Sequence, residues 1–257
     1  MTILSWNVNG LRAAYRSGFA DWLEGSKADI VCLQEIKTQE DPVQNGLFDG
    51  PKSKYQFYAN YALKPGYSGV AVYAKEKPEK IEKTLGHARF DAEGRILHLE
   101  YPGFILIVLY IPHGGREKEN LGYKLEIYER LFEYLKPLQD KNVILAGDFN
   151  IAHMEVDLAR PDNNKNNIMF TPEERAQIDK LLALGFTDTF RTLHPEGGNY
   201  SWWPYRVDAR ERNLGWRIDY MFTSKTLTPQ LKKAFILSDV RGSDHCPVGV
   251  ELTDFGD

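Results

Sequence analysis

Hydrophobic positions along this chain fall into short apolar runs and into stretches with helical spacing. The short runs predict buried strands over 3–6, 29–33, 70–74, 104–111, 143–146 and 217–222. Leu121, Leu125, Tyr128, Leu131, Phe132 and Leu135 recur with helical period, so the spacing predicts an amphipathic helix over 120–136 with one apolar stripe. A second helix, over 171–184, carries its own start and stop signals. Thr171 suits the N-cap, Pro172 the first helical position, Glu174 completes a capping box, and Gly185 follows as a C-terminal cap. The polar stretch 162–167 (DNNKNN) is a loop inside this pattern. No repeat or Pro/Gly/Ser-rich linker divides the chain, so residues 1–257 are expected to form a single domain of mixed strands and helices.

Composition narrows this picture. The 42% apolar and 26% charged residues are those of an ordinary soluble domain, with enough apolar surface to oppose disorder. The 32 basic against 36 acidic residues give a net charge of −4, which excludes a strongly basic nucleic-acid binder but not a local basic surface. Cys32 and Cys246 form neither a metal-ligand spacing nor a disulfide framework, and each is expected to be a small buried residue. The start, MTILSWNVNG, lacks a basic stretch followed by a long apolar one, and the run 104–111 is too short to span a bilayer; a cytoplasmic, membrane-free protein is expected.

The chemistry is expected where strands end in polar groups. Four such ends stand out: Ser5-Trp6-Asn7-Val8-Asn9-Gly10, Leu33-Gln34-Glu35, Gly147-Asp148-Phe149-Asn150 and Ser243-Asp244-His245-Cys246. Glu35 can be a plain polar strand end or a ligand for a hard divalent cation, which favours oxygen donors and few carboxylates. Asp148 and Asn150, two apart, would share one side of an extended segment, one accepting a proton and the other donating a hydrogen bond; an Asx turn explains the same pair. His245 could transfer protons or contact phosphate if a carboxylate orients it, and Asp219, inside an otherwise apolar segment, is the candidate. Residues 200–217 (YSWWPYRVDARERNLGWR) interleave Tyr200, Trp202, Trp203, Tyr205 and Trp216 with Arg206, Arg210, Arg212 and Arg217. Aromatics stack on sugars and bases while arginines contact phosphates, so a binding loop is favoured over core aromatics with solvated charges.

Together, Ser-Trp-Asn-Val-Asn-Gly-Leu-Arg at 5–12, Leu-Gln-Glu-Ile-Lys at 33–37, Gly-Asp-Phe-Asn-Ile-Ala-His at 147–153, Asn-Leu-Gly-Trp-Arg-Ile-Asp-Tyr at 213–220 and Ser-Asp-His-Cys-Pro at 243–247 resemble the exonuclease III family of apurinic/apyrimidinic (AP) endonucleases. The resemblance runs from about residue 2 to 252. It implies a four-layered α/β sandwich of two mixed sheets flanked by helices, the DNase I-like fold, with its site at one edge. It implies Mg²⁺, or Mn²⁺ in its place, held by Glu35 with Asn7 beside it and Asp244 nearby. Asp148 would orient or deprotonate the attacking water, Asn150 donate to the scissile phosphate, His245 contact phosphate with Asp219 orienting it, and Tyr110 stand near the leaving group. Asn164 and Asn167 match phosphate-contacting loop asparagines, Trp202, Trp216 and Ile218 an apolar pocket for a flipped abasic sugar, and Arg116 a loop reaching into DNA. Arg210 belongs with this DNA surface.

Two positions depart from the pattern. His113 stands where relatives commonly carry Asn, as a charged phosphate contact or a plain exposed substitution. Asn9 replaces an aspartate of some relatives, which puts a second metal position in doubt. The implied activity is Mg²⁺-dependent hydrolysis 5′ to abasic sites in double-stranded DNA by a monomer, with 3′-phosphodiesterase action at 3′-blocked ends and 3′→5′ exonuclease action. A less specific nuclease or an inositol-lipid phosphatase would keep the scaffold and change the substrate; the aromatic stretch argues against both. A noncatalytic damage binder would need a broken site, and the polar residues are all present.

Overall fold

The computed structural model describes residues 1–51, 55–206 and 208–253. Twelve strands form two six-stranded sheets. The first contains β1 (Thr2–Asn7), β2 (Ile30–Gln34), β3 (Gln56–Asn60), β4 (Val70–Ala74), β11 (Leu231–Ile236) and β12 (Val248–Leu252), in the order β11-β12-β1-β2-β4-β3. The second contains β5 (Lys80–Glu82), β6 (Ile96–Tyr101), β7 (Phe104–Tyr110), β8 (Val143–Asp148), β9 (Phe186–Asp188) and β10 (Asp219–Ser224), in the order β5-β6-β7-β8-β10-β9. Each sheet is mixed, with a single parallel pair, β1–β2 or β7–β8. A parallel pair needs a crossover. Helices α1 (Leu11–Arg16) and α2 (Phe19–Ser26) supply the first and α4 (Leu121–Leu135) the second, while the short α3 (Ala88–Ala92) lies between β5 and β6.

The two-residue period of the strands builds three layers of core. Ile3, Ile30, Cys32, Val70 and Val72 face Leu97, Leu99, Leu106, Val108, Ile144 and Ala146 between the sheets. Leu4, Trp6, Val31 and Leu33 point the other way, against Leu11, Tyr15, Phe19 and Leu23 of α1 and α2. Ile105, Ile107, Leu109, Val143 and Leu145 pack outward on α4 and on α5 (Pro172–Ala183). Burying each such side chain is worth about 1.5–3 kcal/mol. Both cysteines are buried and unpaired, as expected.

The expected strands are all present with ends shifted by a few residues, and the expected helices are α4 and α5. Thr171 and Glu174 close the capping box of α5, and Gly185, at φ 93°, ends it. The apolar stripe of α4 is rotated from its expected position. Lys124 and Ile127 are buried, and Leu125 is only half-buried. No helix among the described residues is long and apolar enough to cross a membrane.

Candidate active site

The same period that fills the space between the sheets with aliphatic side chains places polar ones at its end. On the inward face of β1, Ile3 is followed by Ser5 and Asn7. On β8, Ile144 and Ala146 lead to Asp148, and on β7, Leu106 and Val108 lead to Tyr110. In register, Asp148 lies between Tyr110 and Asp219. The polar cap is thus the last layer of the core, and it opens at one edge of the sandwich. Gly147 permits this crowding: a Cβ there would stand 1.9 Å from the Leu109 carbonyl oxygen.

His245 is oriented as the sequence suggested. Its Nδ1 lies 2.8 Å from Asp219 Oδ2, and its Nε2 faces Asp148 Oδ2 at 3.9 Å. Ser201 supports the pair. Its hydroxyl donates to Asp219 Oδ2 at 2.6 Å and accepts the Ile218 and Asp219 N–H groups. Burial opposes charge on His245, yet the carboxylates of Asp219, Asp148 and Asp244 outweigh it and raise its pKa to about 10. Burial also raises the pKa of Asp148; Asp219 adds to this and His245 opposes it. Burial pushes the Tyr110 phenol up, helped by the Glu35 carboxylate, while the Arg95 guanidinium, stacked 4.4 Å from the ring centre, opposes it.

Glu35, Asp148 and His245 offer ligand atoms within 4.8 Å of one another. With His245 Nδ1 committed to Asp219 and its ring protonated at neutral pH, the donors that remain are carboxylate oxygens, which suit a hard cation. Burial opposes charge on Glu35, but Lys37, 2.8 Å away, and the Asn7 amide hold its pKa low, so it stays an anion. Two expected metal residues are placed otherwise. Asn7 turns its nitrogen to the site, donating to Glu35 Oε1 and Asp148 Oδ2 at 2.9 Å each, while its oxygen accepts the Asn9 N–H. It braces two carboxylates instead of offering an oxygen. Asp244 lies outside the three-residue cluster, its carboxylate held by Asn9 Nδ2 and Trp202 Nε1. An aspartate at position 9 would set a like charge against Asp244 where asparagine donates.

Asp148 and Asn150 do not share one strand face. β8 ends at Asp148, and Asn150 is left-handed at φ 53°. The Asx turn is present, Asn150 N donating to Asp148 Oδ1 at 2.8 Å, and the Asn150 amide donates to the Ile111 carbonyl. The pair is therefore an Asx turn and not two neighbours on one face of an extended segment.

Beside this cluster lies a cavity of about 1120 Å³. His113, Arg116, Asn164, Asn167, Trp202 and Trp216 line it, as does Asp244. Trp202 and Trp216 meet edge to face at 6.4 Å. Ile218 does not line it: buried to 1% exposure, it belongs to the apolar cluster against which both tryptophans pack. The Asn167 amide donates to Asn164 Oδ1, so the two loop asparagines brace each other. His113 is an exposed residue on the cavity wall, and its pKa is lowered, first by partial loss of water around the ring and then by the Lys124 ammonium, which favours a neutral imidazole.

Two arginines are corrected. Arg217 is buried to 1% exposure, bonded to Asp157 and bidentate to Asp188, and cannot contact DNA. Its place in an apolar strand run was the missed signal. Arg210 stacks 4.5 Å over Trp203 and donates to the carbonyls of Ser238, Val240 and Ser243. Its terminal nitrogens are thus taken up by backbone carbonyls of 238–243, and it does not line the cavity. Ser201, Lys37 and Arg95 are site neighbours that sequence reasoning missed. Only Lys37 carried a signal, two residues from Glu35 in the same motif.

A family model described as the Endonuclease/Exonuclease/phosphatase family matches residues 4–245. The chain belongs to this family. It is similar to an exodeoxyribonuclease of Bacillus subtilis, 45% identical over 251 residues, which cover 96% of this chain and 98% of the relative. It is similar also to a DNA repair nuclease of Danio rerio, 40% identical over 254 residues, 98% of this chain and 82% of the relative. An AP endonuclease from Archaeoglobus fulgidus superposes with TM-score 0.88 at 29% identity, covering 98% of this chain and 99% of that one. A 3′ phosphatase from Neisseria, solved with a product DNA hairpin, superposes with TM-score 0.89 at 28% identity, with the same coverage. Within the endonuclease/exonuclease/phosphatase family the chain belongs with the exonuclease III-like AP endonuclease group, and it is a nuclease-type hydrolase on the DNase I-like sandwich.

Proposed function

We propose that this nuclease hydrolyses the phosphodiester 5′ to abasic sites in double-stranded DNA with Mg²⁺, and that it also clears 3′-blocked ends and degrades 3′→5′. It acts as a cytoplasmic monomer, with residues 1–257 working as one domain. The observation that carries the reading is the juxtaposition of the Asp219–His245–Asp148 constellation with a cavity walled by Trp202 and Trp216.

Asp148 takes a proton from water as the water oxygen bonds phosphorus. The bond from phosphorus to the upstream 3′-oxygen breaks and that oxygen takes a proton from solvent, leaving a 3′-hydroxyl and a 5′-phosphate on the abasic sugar. A raised carboxylate pKa suits a base working near neutrality. His245, kept an imidazolium by Asp219, has its Nε2 proton free for a phosphoryl oxygen, where charge grows in the transition state. Glu35, steadied by Asn7, would hold Mg²⁺; the ion, when bound, neutralises phosphoryl charge and stabilises the leaving oxygen. Trp202 and Trp216 admit a sugar without a base, and unstacking costs least where the base is already lost.

The test is a substrate panel. Duplexes with a tetrahydrofuran abasic analogue, a 3′-phosphate, a uracil or no lesion, and an inositol phosphate, are incubated with the protein in Mg²⁺ or EDTA. Fast incision of the tetrahydrofuran duplex in Mg²⁺ alone is expected. Preferred turnover of the inositol phosphate or of intact duplex would sink the proposal.

A further inference from the structure

The segment leaving β8 runs through the interior, where five of its carbonyls meet donors from elsewhere in the fold. The Ile111 N–H bonds the Asp148 carbonyl at 2.9 Å. The Tyr128 hydroxyl bonds that of Phe149, and Lys124 Nζ that of Asn150 at 2.7 Å. The Tyr220 hydroxyl bonds that of Ile151, and Arg175 Nε that of His153.

Lys124 is the costly member of this set, because a lysine with no exposed surface loses all its hydration. Its counter-ion, Glu174, is equally buried. The other Glu174 oxygen accepts the Thr171 N–H at 3.1 Å, so the pair ties α4 to the first turn of α5. The remaining ammonium proton goes to the His113 carbonyl at 3.3 Å, on the loop that carries Arg116. All three donors are therefore used, and two of them hold loops that flank the site. Asn150 itself sits at φ 53°, in the left-handed region that asparagine tolerates better than most residues with a side chain.

We infer that Lys124 is a positioning residue for the cleavage reaction: held by Glu174, its ammonium fixes the backbone of Asn150 and joins that turn to the loop carrying His113 and Arg116. The inference rests on the reading of Asn150 as the donor to the scissile phosphate. Apolar packing alone does not call for the arrangement, since a methionine would fill the same space without a buried charge.

The experiment is a double-mutant cycle on a tetrahydrofuran duplex with Mg²⁺, comparing K124M, N150G and the pair. N150G removes the side chain and tolerates the left-handed backbone. K124M/E174Q is measured beside them, because it leaves no unpaired charge in the core. K124M and K124M/E174Q are expected to lower kcat about 10²-fold, with KM within about threefold of wild type. K124R should restore most of kcat, and N150G/K124M should be no slower than N150G. Independent effects that multiply in the double variant, or wild-type kcat in K124M/E174Q, would overturn the inference while leaving Asn150 its role. Wild-type kcat in N150G would overturn the reading of Asn150 and the inference with it.

Discussion

At the scale of single residues, His245 is the group on which the chemistry of the site depends. Its pKa in the folded protein stands at about 10 against an ordinary 6.5. A group raised in this way adds stability that is fully present below its unfolded pKa and is lost as pH rises through about 10. In EDTA, the His245 imidazole should titrate by NMR near pH 10, and D219N should bring it down toward the ordinary range. Titration near 6.5 in the wild type would show that Asp219 does not hold the ring. Asp148→Asn should abolish cleavage while abasic-DNA binding persists; unchanged turnover would remove Asp148 from the reaction. Glu35, Asp148, Asp219 and His245 were legible because a charged group at the end of an apolar run needs a partner or a task. Arg217 misled for the complementary reason: its charge is answered inside the core by Asp157 and Asp188, residues far from it in sequence. Which amide atom Asn7 turns to the site is set by Asn9 and the two carboxylates together, and no local pattern shows that.

Among elements, α5 was the most legible, since its cap, first-turn proline and terminal glycine are local signals. Thr171→Ala should cost about 1 kcal/mol in urea unfolding. A wild-type midpoint would show that the cap contributes nothing. The uninterrupted apolar strands β1, β2, β4, β7, β8 and β10 were equally plain, whereas β6 and β12, nearly as buried, were missed because His98 and Glu100, or Gly249 and Glu251, break their apolar runs. The edge strands β3, β5, β9 and β11 were missed, because they are short or half-exposed and carry polar residues among the apolar ones. Lys124 was invisible as a core residue because its charge interrupts the stripe to which it belongs. The register of β7 on β8 brings Tyr110 opposite Asp148, and it depends on Gly147. Gly147→Ala forces a methyl into the Leu109 carbonyl and should cost about 3 kcal/mol or more by the same unfolding measurement, with loss of cleavage. Little change would mean that the strands can part without penalty.

Across the whole molecule, a net charge of −4 coexists with a basic cavity. Arg116, Lys118, Arg160, Arg206 and Arg212 line it against Glu117 and Asp244. Affinity for DNA should therefore be salt-dependent. R116A, R206A and R212A should each reduce the slope of log K against log salt by about 1. R210A, whose donors face backbone carbonyls, should leave the slope unchanged. The reverse ranking would place the DNA on another face. The family motifs carried the layered architecture and the site's edge, whereas the partition of charge between core and cavity emerged only from the fold. The most direct test maps the incision of a duplex holding one tetrahydrofuran, in Mg²⁺, by the wild type and D148N side by side. A single cut 5′ to the lesion, ending in a 3′-hydroxyl and made by the wild type alone, is the predicted result. An intact strand, a cut elsewhere, or equal cutting by D148N would contradict the account.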